Sequence, residues 1–229
     1  MSKKGIFIVL EGTDGSGKTT QFKLLVCALK RAKKPVMTID FPQYGKPSAY
    51  FVEQYLNGKF GSASRIGPYQ GSLFYALDRC EAAPRIRQWL KQGKMVVANR
   101  YTSSNAGHQG GKILNTKARQ AYWKWLFDLE YKLLKIPKPN LTILLHMPAE
   151  QAQLLVDKKT ARKYVGGKKR DIHEADLGHL RAAERAYLEV AHICKFSIVE
   201  CFEQGKLLTP QQIHFKVYKI VKNLINKNK

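Results

Sequence analysis

Five short apolar runs recur along the chain, separated by longer segments in which apolar residues follow a helical period. Continuous short runs of this kind are typical of strands that are buried on both faces of a sheet. The predicted strands are 6–10, 35–40, 94–99, 141–147 and 196–201. The predicted helices are 18–33, 47–57, 69–92, 116–135, one from Ala149, 174–194 and one that begins near Thr209-Pro210. We therefore expect an α/β fold, a five-stranded parallel sheet with helices on both faces.

The loops that follow the predicted strands hold the candidate chemistry. In open parallel sheets, ligands bind beyond the carboxyl ends of the strands. This rule places the residues after Leu10, Asp40, Asn99 and Met147 on one rim of the sheet. The length of 229 residues, without linkers or repeats, predicts a single domain over 1–229.

The segment at about 158–174 interrupts the alternation of strands and helices. Residues 158–170 carry seven basic side chains around a Gly166-Gly167 pair. A cationic, glycine-containing segment of this kind favours a small mobile lid that closes over phosphate groups. A solvated surface loop is the alternative interpretation.

Composition changes this picture only slightly. The net charge of +23 predicts attraction to anions, either nucleotides or nucleic acid. Because the lysines are spread along the chain, nucleic-acid binding is not the favoured interpretation. No apolar run approaches the roughly 18 residues of a membrane span, and the four cysteines lack C-x-x-C spacing. We expect a cytoplasmic protein with reduced thiols and no membrane partner.

The strongest motif lies between the first strand and the first helix. Residues 12–19, GTDGSGKT, match the phosphate loop G-x-x-x-x-G-K-[ST] in the strand–loop–helix context that it requires. Glycines let the backbone N–H groups converge on a phosphate, and the helix N-terminus adds a positive dipole end. Lys18 is expected to reach the β- and γ-phosphates of a nucleotide, and the Thr19 hydroxyl to bind Mg²⁺. The predicted ATP phosphate-binding residues are Gly12, Thr13, Asp14, Gly15, Ser16, Gly17, Lys18, Thr19 and Thr20.

Arginines occur where phosphoryl transfer would use them. The reaction requires neutralisation of negative charge, and the planar, bidentate guanidinium suits this task. Arg100 follows the third strand, Arg79 lies in a helix beside aromatic residues, and Arg162 and Arg170 lie in the basic segment. Each has an ordinary surface role as its alternative, least so Arg100, because it follows a buried strand.

Five motifs, in order and covering nearly the whole chain, resemble the thymidylate kinase family. They are EGTDGSGKTT at 11–20, DFP at 40–42, FYALDR at 74–79, NRYTSSN at 99–105 with HQGG at 108–111, and RDIHE at 170–174 followed by YLE at 187–189. The resemblance implies a P-loop NTPase fold of nucleoside-monophosphate kinase type. It also implies a homodimeric enzyme that phosphorylates dTMP to dTDP in dTTP biosynthesis, with ATP as co-substrate and Mg²⁺ assisting in-line transfer.

The resemblance further implies roles for individual residues. Asp14 would face the deoxyribose 3′-hydroxyl, Tyr75 or else Phe74 would stack on thymine, and Arg79 would donate to the base O4. Ser104 and Asn105 would reach the other base edge, and His108 would lie near C2′. Arg100 would bridge the monophosphate and the transferred phosphoryl group. The implied dTMP-binding residues are Asp14, Phe41, Pro42, Phe74, Tyr75, Arg79, Arg100, Ser104, Asn105, His108 and Gln109. The implied catalytic residues are Asp14, Lys18, Arg100, Arg162 and Arg170, and the metal ligands Thr19 and Glu174.

The chain departs from the family pattern at several positions. Gly15 stands where one class of these kinases has an arginine, so the lid would supply it through Arg162 or Arg170. Asn99 stands where most members have aspartate, which keeps an oxygen ligand but loses a charge. Gln43-Tyr44 follows the Asp-Phe-Pro turn where relatives often offer an arginine to the acceptor phosphate, and Lys46 is a candidate substitute. His146, at the end of the fourth strand, is interpreted as structural.

Two other functions remain open from the residues alone. One is a kinase for another nucleoside or deoxynucleoside monophosphate, against which Arg79 and Asn105 favour thymine. The other is a non-catalytic nucleotide-binding or nucleic-acid-binding relative. Asn99 and the high charge favour it, whereas the intact Lys18-Thr19 pair and the full basic segment oppose it.

Overall fold

The computed structural model describes residues 4–61, 65–157 and 177–228. Its main sheet has five parallel strands in the spatial order β2-β3-β1-β4-β5. The strands are β1 Ile6–Glu11, β2 Val36–Asp40, β3 Met95–Asn99, β4 Leu141–His146 and β5 Ser197–Glu200. The predicted parallel sheet is therefore confirmed. Both ends of each strand lie within a residue or two of the predicted positions.

Helices connect the strands and cover both faces of the sheet. They are α1 Lys18–Arg31, α2 Tyr50–Leu56, α3 Pro68–Lys91, α4 Thr102–His108, α5 Thr116–Phe127, α6 Ala149–Asp157, α7 Leu177–Cys194 and α8 Pro210–Lys227. A short hairpin, β6 Phe202–Glu203 and β7 Lys206–Leu207, precedes α8. At the start of α8, Thr209 at the N-cap and Gln212 form a capping box around Pro210. None of the described helices is long and apolar enough to cross a membrane.

Two predicted helices differ from the structure, and one helix was missed. The predicted helix at 47–57 begins as a 3₁₀ turn, Pro47–Ala49, and the one at 116–135 continues beyond Phe127 as a π-helical segment, Asp128–Leu133. The missed helix is α4, whose sequence TSSNAGH has no apolar periodicity. It forms because it packs closely on α7: a Cβ on Gly107 would lie 2.3 Å from the Tyr187 ring.

The core has two layers, one on each face of the sheet. Alternate residues of β1 point to opposite sides, with Ile8 packing toward α1 and α8, and Val9 toward α3. All six residues of β1 are buried. Burial on both faces explains why the strand sequences are continuous apolar runs rather than alternating ones.

The phosphate loop lies between β1 and α1, at the carboxyl edge of the sheet. Gly17 precedes α1 with a φ of 84°, a conformation that favours glycine. Gly15 has a φ of 88°, and a Cβ there would lie 2.0 Å from the carbonyl oxygen of Ala152 in α6. The close approach of α6 therefore excludes an arginine at Gly15 in this packing.

Candidate active site

A cavity of about 950 Å³ opens at the carboxyl ends of β1, β2 and β3. Most of the predicted site residues line it together. They are Asp14, Gly15, Gly17, Lys18, Thr19, Thr20, Phe41, Pro42, Tyr75, Arg79, Arg100, Ser104, Asn105, His108 and Gln109. Gly12, Thr13 and Ser16 are buried in the loop and do not line the cavity. Arg162, Arg170 and Glu174, with the predicted lid, lie outside the described residues.

Lys18 lies folded against its own loop. Its Nζ donates to the carbonyl oxygens of Gly12 at 2.9 Å and Thr13 at 2.7 Å, and lies 4.0 Å from Asp14 Oδ1. The side chain is 7% exposed. A buried ammonium that donates to neutral carbonyl oxygens can exchange these acceptors for phosphate oxygens.

Arg100 has a strained backbone and well-defined side-chain partners. Its φ is 68°, uncommon for a residue with a side chain, and its N–H donates to the carbonyl of Leu10 at 2.9 Å. The guanidinium forms an ion pair with Asp14, and its Nη1 lies 3.2 Å from His108 Nε2. Burial acts to lower the pKa of Arg100, but nearby negative charge, chiefly Asp14, raises it well above its usual value. The positive charge is thus held permanently inside the cavity.

Arg79 also lines the cavity, and its guanidinium is paired with a buried carboxylate. Its Nε donates to Glu130 Oε2 at 2.7 Å and its Nη2 to Oε1 at 2.6 Å, a bidentate pair in which Arg79 is 2% and Glu130 0% exposed. Its Nη1 lies 3.4 Å from the Tyr101 carbonyl. Glu130, a partner that the sequence did not predict, holds the guanidinium at a fixed orientation beside the cavity.

Tyr75 and Phe74, the alternative stacking residues, have different surroundings. Tyr75 lines the cavity, whereas Phe74 does not. Phe74 packs instead on Phe51, with ring centroids 6.0 Å apart and an angle of 14°, and on Phe60 at 5.3 Å. Of the two, the geometry favours Tyr75 as the residue that contacts a base.

Ser104 and Asn105 are engaged with protein groups. Ser104 Oγ donates to Glu11 Oε2 at 2.7 Å, and Asn105 Nδ2 donates to the carbonyl of Ser72 at 3.1 Å. Both side chains still line the cavity. These hydrogen bonds therefore fix the orientation of both side chains before any base binds.

Glu11 accepts three hydrogen bonds beneath the site, and the sequence analysis assigned it no individual role. Its carboxylate accepts from the Tyr101 N–H at 2.7 Å, from Ser104 and from the Tyr187 hydroxyl at 3.1 Å. Burial raises the pKa of Glu11 above its usual value. The sequence did contain a sign of this role, because Glu11 is an acidic residue at the end of an otherwise apolar strand. Such a residue is rarely buried without several donors.

Asp40 and Asn99, at the ends of neighbouring strands, form a second unpredicted pair. Asn99 Nδ2 donates to Asp40 Oδ1 at 3.0 Å, and the Asn99 Oδ1 atom is buried with no hydrogen-bond partner in the described chain. Both residues line the cavity with Thr19. This set of carboxylate, amide and hydroxyl oxygens suits a hard divalent cation.

His146, interpreted from the sequence as structural, bridges two carboxylates. Its Nδ1 lies 2.6 Å from Glu200 Oε2 and its Nε2 2.9 Å from Glu184 Oε1. The hydrogen bond to Glu184 outweighs burial, and with Glu200 it raises the pKa of His146. The residue joins β4, β5 and α7, and it does not line the cavity.

The sheet order, the phosphate loop and the cavity define a P-loop phosphotransferase of the nucleoside-monophosphate kinase type. The fold is similar to that of a solved thymidylate kinase from Candida albicans, with a TM-score of 0.74, 22% identity, and coverage of 98% of this chain and 93% of that chain. The family model for thymidylate kinase matches residues 10–206. The chain belongs to the thymidylate kinase family.

Individual relatives agree with this assignment. A thymidylate kinase from Mycobacterium tuberculosis is 31% identical over 188 residues, which cover 81% of this chain and 86% of the relative. A thymidylate kinase from Halothermothrix orenii is 27% identical over 227 residues, covering 98% and 100% of the two chains. The similarity extends over the whole fold rather than the phosphate loop alone.

Proposed function

We propose that this enzyme transfers the γ-phosphoryl group of ATP to dTMP, giving dTDP and ADP. The observation that carries the proposal is the position of Arg100. It lies in one cavity with the phosphate-loop Lys18 and the base-end Arg79, and Asp14 and His108 hold its side chain. A cation held between a nucleotide-phosphate loop and a base pocket suits transfer between two phosphates.

Lys18 and the loop amides would hold the ATP phosphates. The Lys18 ammonium would exchange the carbonyls of Gly12 and Thr13 for phosphate oxygens. Arg100 would neutralise charge on the acceptor phosphate and the transferred group, and Asp14 would accept from the deoxyribose 3′-hydroxyl. His108, which lies 3.9 Å from Asp14, would restrict space at C2′ and favour a deoxyribose. Arg162 or Arg170 of the expected lid would add a further cation.

Base selection would occur at the Arg79 end. Because Glu130 binds one edge of the guanidinium, the remaining Nη1 would donate to O4 of thymine. Cytosine carries an amine at the equivalent position, which would face this donor unfavourably. Tyr75 would stack on the ring. These contacts favour dTMP over dCMP.

Mg²⁺ is implied by the family, and the residues present fit it. Asn99 Oδ1 is a buried oxygen with no described partner, next to the Asp40 carboxylate. Thr19, Asp40 and Asn99 would hold the ion, and Glu174 stays a predicted ligand. When bound, the ion would offset negative charge on the phosphates.

A homodimer and a cytoplasmic location complete the proposal. Tyr69, Leu73 and Leu77 are 42%, 41% and 52% exposed and follow each other at four-residue spacing on one face of α3. An exposed apolar stripe of this kind supports association with a second copy. The four cysteines are free thiols, which supports a reducing compartment.

The test is an ADP-release assay with ATP and Mg²⁺. It compares dTMP with dUMP, dCMP, dGMP and the ribonucleotide analogue of dTMP, using the wild type and Arg100→Ala. Preference for dTMP, lost with Arg100→Ala, is the expected result. Turnover that prefers another monophosphate would reject the base assignment, and ATP binding without any turnover would favour the non-catalytic alternative.

A further inference from the structure

The Gln43 side chain is the centre of an unusual charge arrangement in the turn after β2. Its Oε1 accepts from Lys46 Nζ and from Arg85 Nη2, each at 2.7 Å. Its Nε2 donates to Glu81 Oε2 at 2.8 Å and to Asp78 Oδ1 at 3.1 Å and the Asp78 carbonyl at 3.2 Å. One buried neutral amide, 6% exposed, thus separates two cations from two carboxylates.

The two cations have no carboxylate partner among the described residues. Within the described ranges, neither Lys46 nor Arg85 lies within 4 Å of an acidic oxygen. Arg85 Nε is also buried without a hydrogen-bond partner there, and its guanidinium lies 5.5 Å from the centre of the Trp89 ring. Two positive charges that share one neutral oxygen repel each other, and a buried donor without an acceptor is costly. An anion would relieve both conditions.

The position of these cations indicates which anion they meet. Gln43, Lys46 and Arg85 line the same cavity as Arg100. The turn that carries Gln43 leaves β2 at Asp40, and Asp40 is bonded to Asn99, the residue before Arg100. The cations therefore face the cavity that Arg100 also lines, from beside the turn that follows β2.

We propose that Lys46 and Arg85 together bind the phosphate of the acceptor nucleotide, with Gln43 holding both cations away from Asp78 and Glu81. The inference rests on the proposed function and adds to it the residues of α3 and of the β2 turn. Arg85 supplies the planar guanidinium that the Gln43-Tyr44 turn lacks, and Lys46 supplies a second charge. Both would contact the non-reacting oxygens of the acceptor phosphate, and Gln43 is the positioning residue that orients them.

Binding of dTMP and of thymidine, which lacks the phosphate, separates this role from a structural one. Arg85→Gln and Lys46→Gln each remove one charge while keeping a polar side chain. We expect each to weaken dTMP binding by about 10-fold or more, because a hydrogen bond to a charged group is removed, and to leave thymidine binding within about two-fold. Arg85→Lys should fall between the wild type and Arg85→Gln, since charge is kept and the planar geometry is lost.

Arg87→Gln is the matched control. Arg87 lies on the same helix, is exposed, does not line the cavity, and donates to the Lys135 carbonyl at 2.8 Å. It should leave binding of both ligands unchanged. Titration calorimetry gives the dissociation constants, and thermal unfolding confirms that each variant is folded.

Equal weakening of thymidine and dTMP by Arg85→Gln and Lys46→Gln would overturn the inference, as would dTMP affinity unchanged in both variants. The proposed function fails by a different result, a wild type that binds another monophosphate more tightly than dTMP. In that case the losses of affinity are compared for that monophosphate and its nucleoside. A larger loss for the monophosphate still shows that Lys46 and Arg85 bind phosphate.

Discussion

Arg79 and Arg85 lie on the same helix and line the same cavity, yet their surroundings are opposite. Arg79 is buried in a bidentate pair with Glu130, so its charge is compensated. Arg85 shares the neutral oxygen of Gln43 with Lys46 and has a buried Nε without an acceptor in the described chain. The bidentate pairing suits Arg79 to act as an oriented donor to a neutral base, whereas the lack of a carboxylate within 4 Å in the described ranges suits Arg85 to attract an anion. The difference separates a base-recognition role for Arg79 from a phosphate-binding role for Arg85.

The largest expected effect concerns phosphate binding by Arg100. Arg100→Ala removes the cation that would face both phosphates, and we expect kcat/KM for dTMP to fall by about 1,000-fold or more. Steady-state kinetics measure the change, with Arg87→Ala as the control. A loss below about 10-fold would place the transition-state charge on other residues.

The pairing of Arg79 is tested most directly by substitution of Glu130. Glu130→Ala leaves Arg79 buried and uncompensated, and we expect a loss of about 3–5 kcal/mol in the free energy of unfolding, measured with urea. Glu189 also binds an arginine, Arg119, which is 11% exposed, but the Glu189 side chain is 38% exposed and water can reach the pair. Glu189→Ala should therefore cost about 1 kcal/mol or less. Similar losses in the two variants would show that burial does not set the strength of the Arg79 pair.

Substitutions of Tyr75 and Phe74 compare a side chain that lines the cavity with one that packs in the core. Tyr75→Ala should weaken dTMP binding by about 10-fold through the loss of base stacking. It also removes the edge-on contact with the Tyr55 ring, whose centroid lies 6.3 Å away, so a smaller loss of stability accompanies the loss of binding. Phe74→Ala should lower the free energy of unfolding by about 2 kcal/mol because it removes ring packing, with dTMP binding retained. Calorimetric titration and urea unfolding of both variants measure the two quantities. The reverse result would mean that Phe74 contacts the base.

The smallest effect tests a charged cluster outside the cavity. The pKa of His146 is raised in the folded state by Glu184 and Glu200, so the stability it contributes is fully present below the unfolded pKa. This contribution is lost as pH rises from the unfolded to the folded pKa. The stability difference between wild type and His146→Gln should therefore be larger at pH 5.5 than at pH 8.5, as urea unfolding can measure. A difference that grows with pH would contradict the direction of the shift.

Much of the site followed from local sequence. The phosphate loop needs only residues 12–19 and the strand before them, because its geometry comes from consecutive backbone groups. Arg100 was predicted for a similar reason, since it follows a buried strand directly. The helix α4 escaped prediction because its formation depends on packing against α7, which no periodicity within the segment reports.

The sequence by itself determined the parallel sheet, its covered faces, and the rim on which the phosphate loop and Arg100 meet. These features depend on residues close together in the chain, through apolar run length and glycine conformation. Only the tertiary structure decided which arginine is compensated and which is not. Glu130 lies 51 residues from Arg79, and Gln43 lies 42 residues from Arg85. The electrostatic character of each guanidinium depends on partners that folding brings together, so two arginines six positions apart acquire different chemistry.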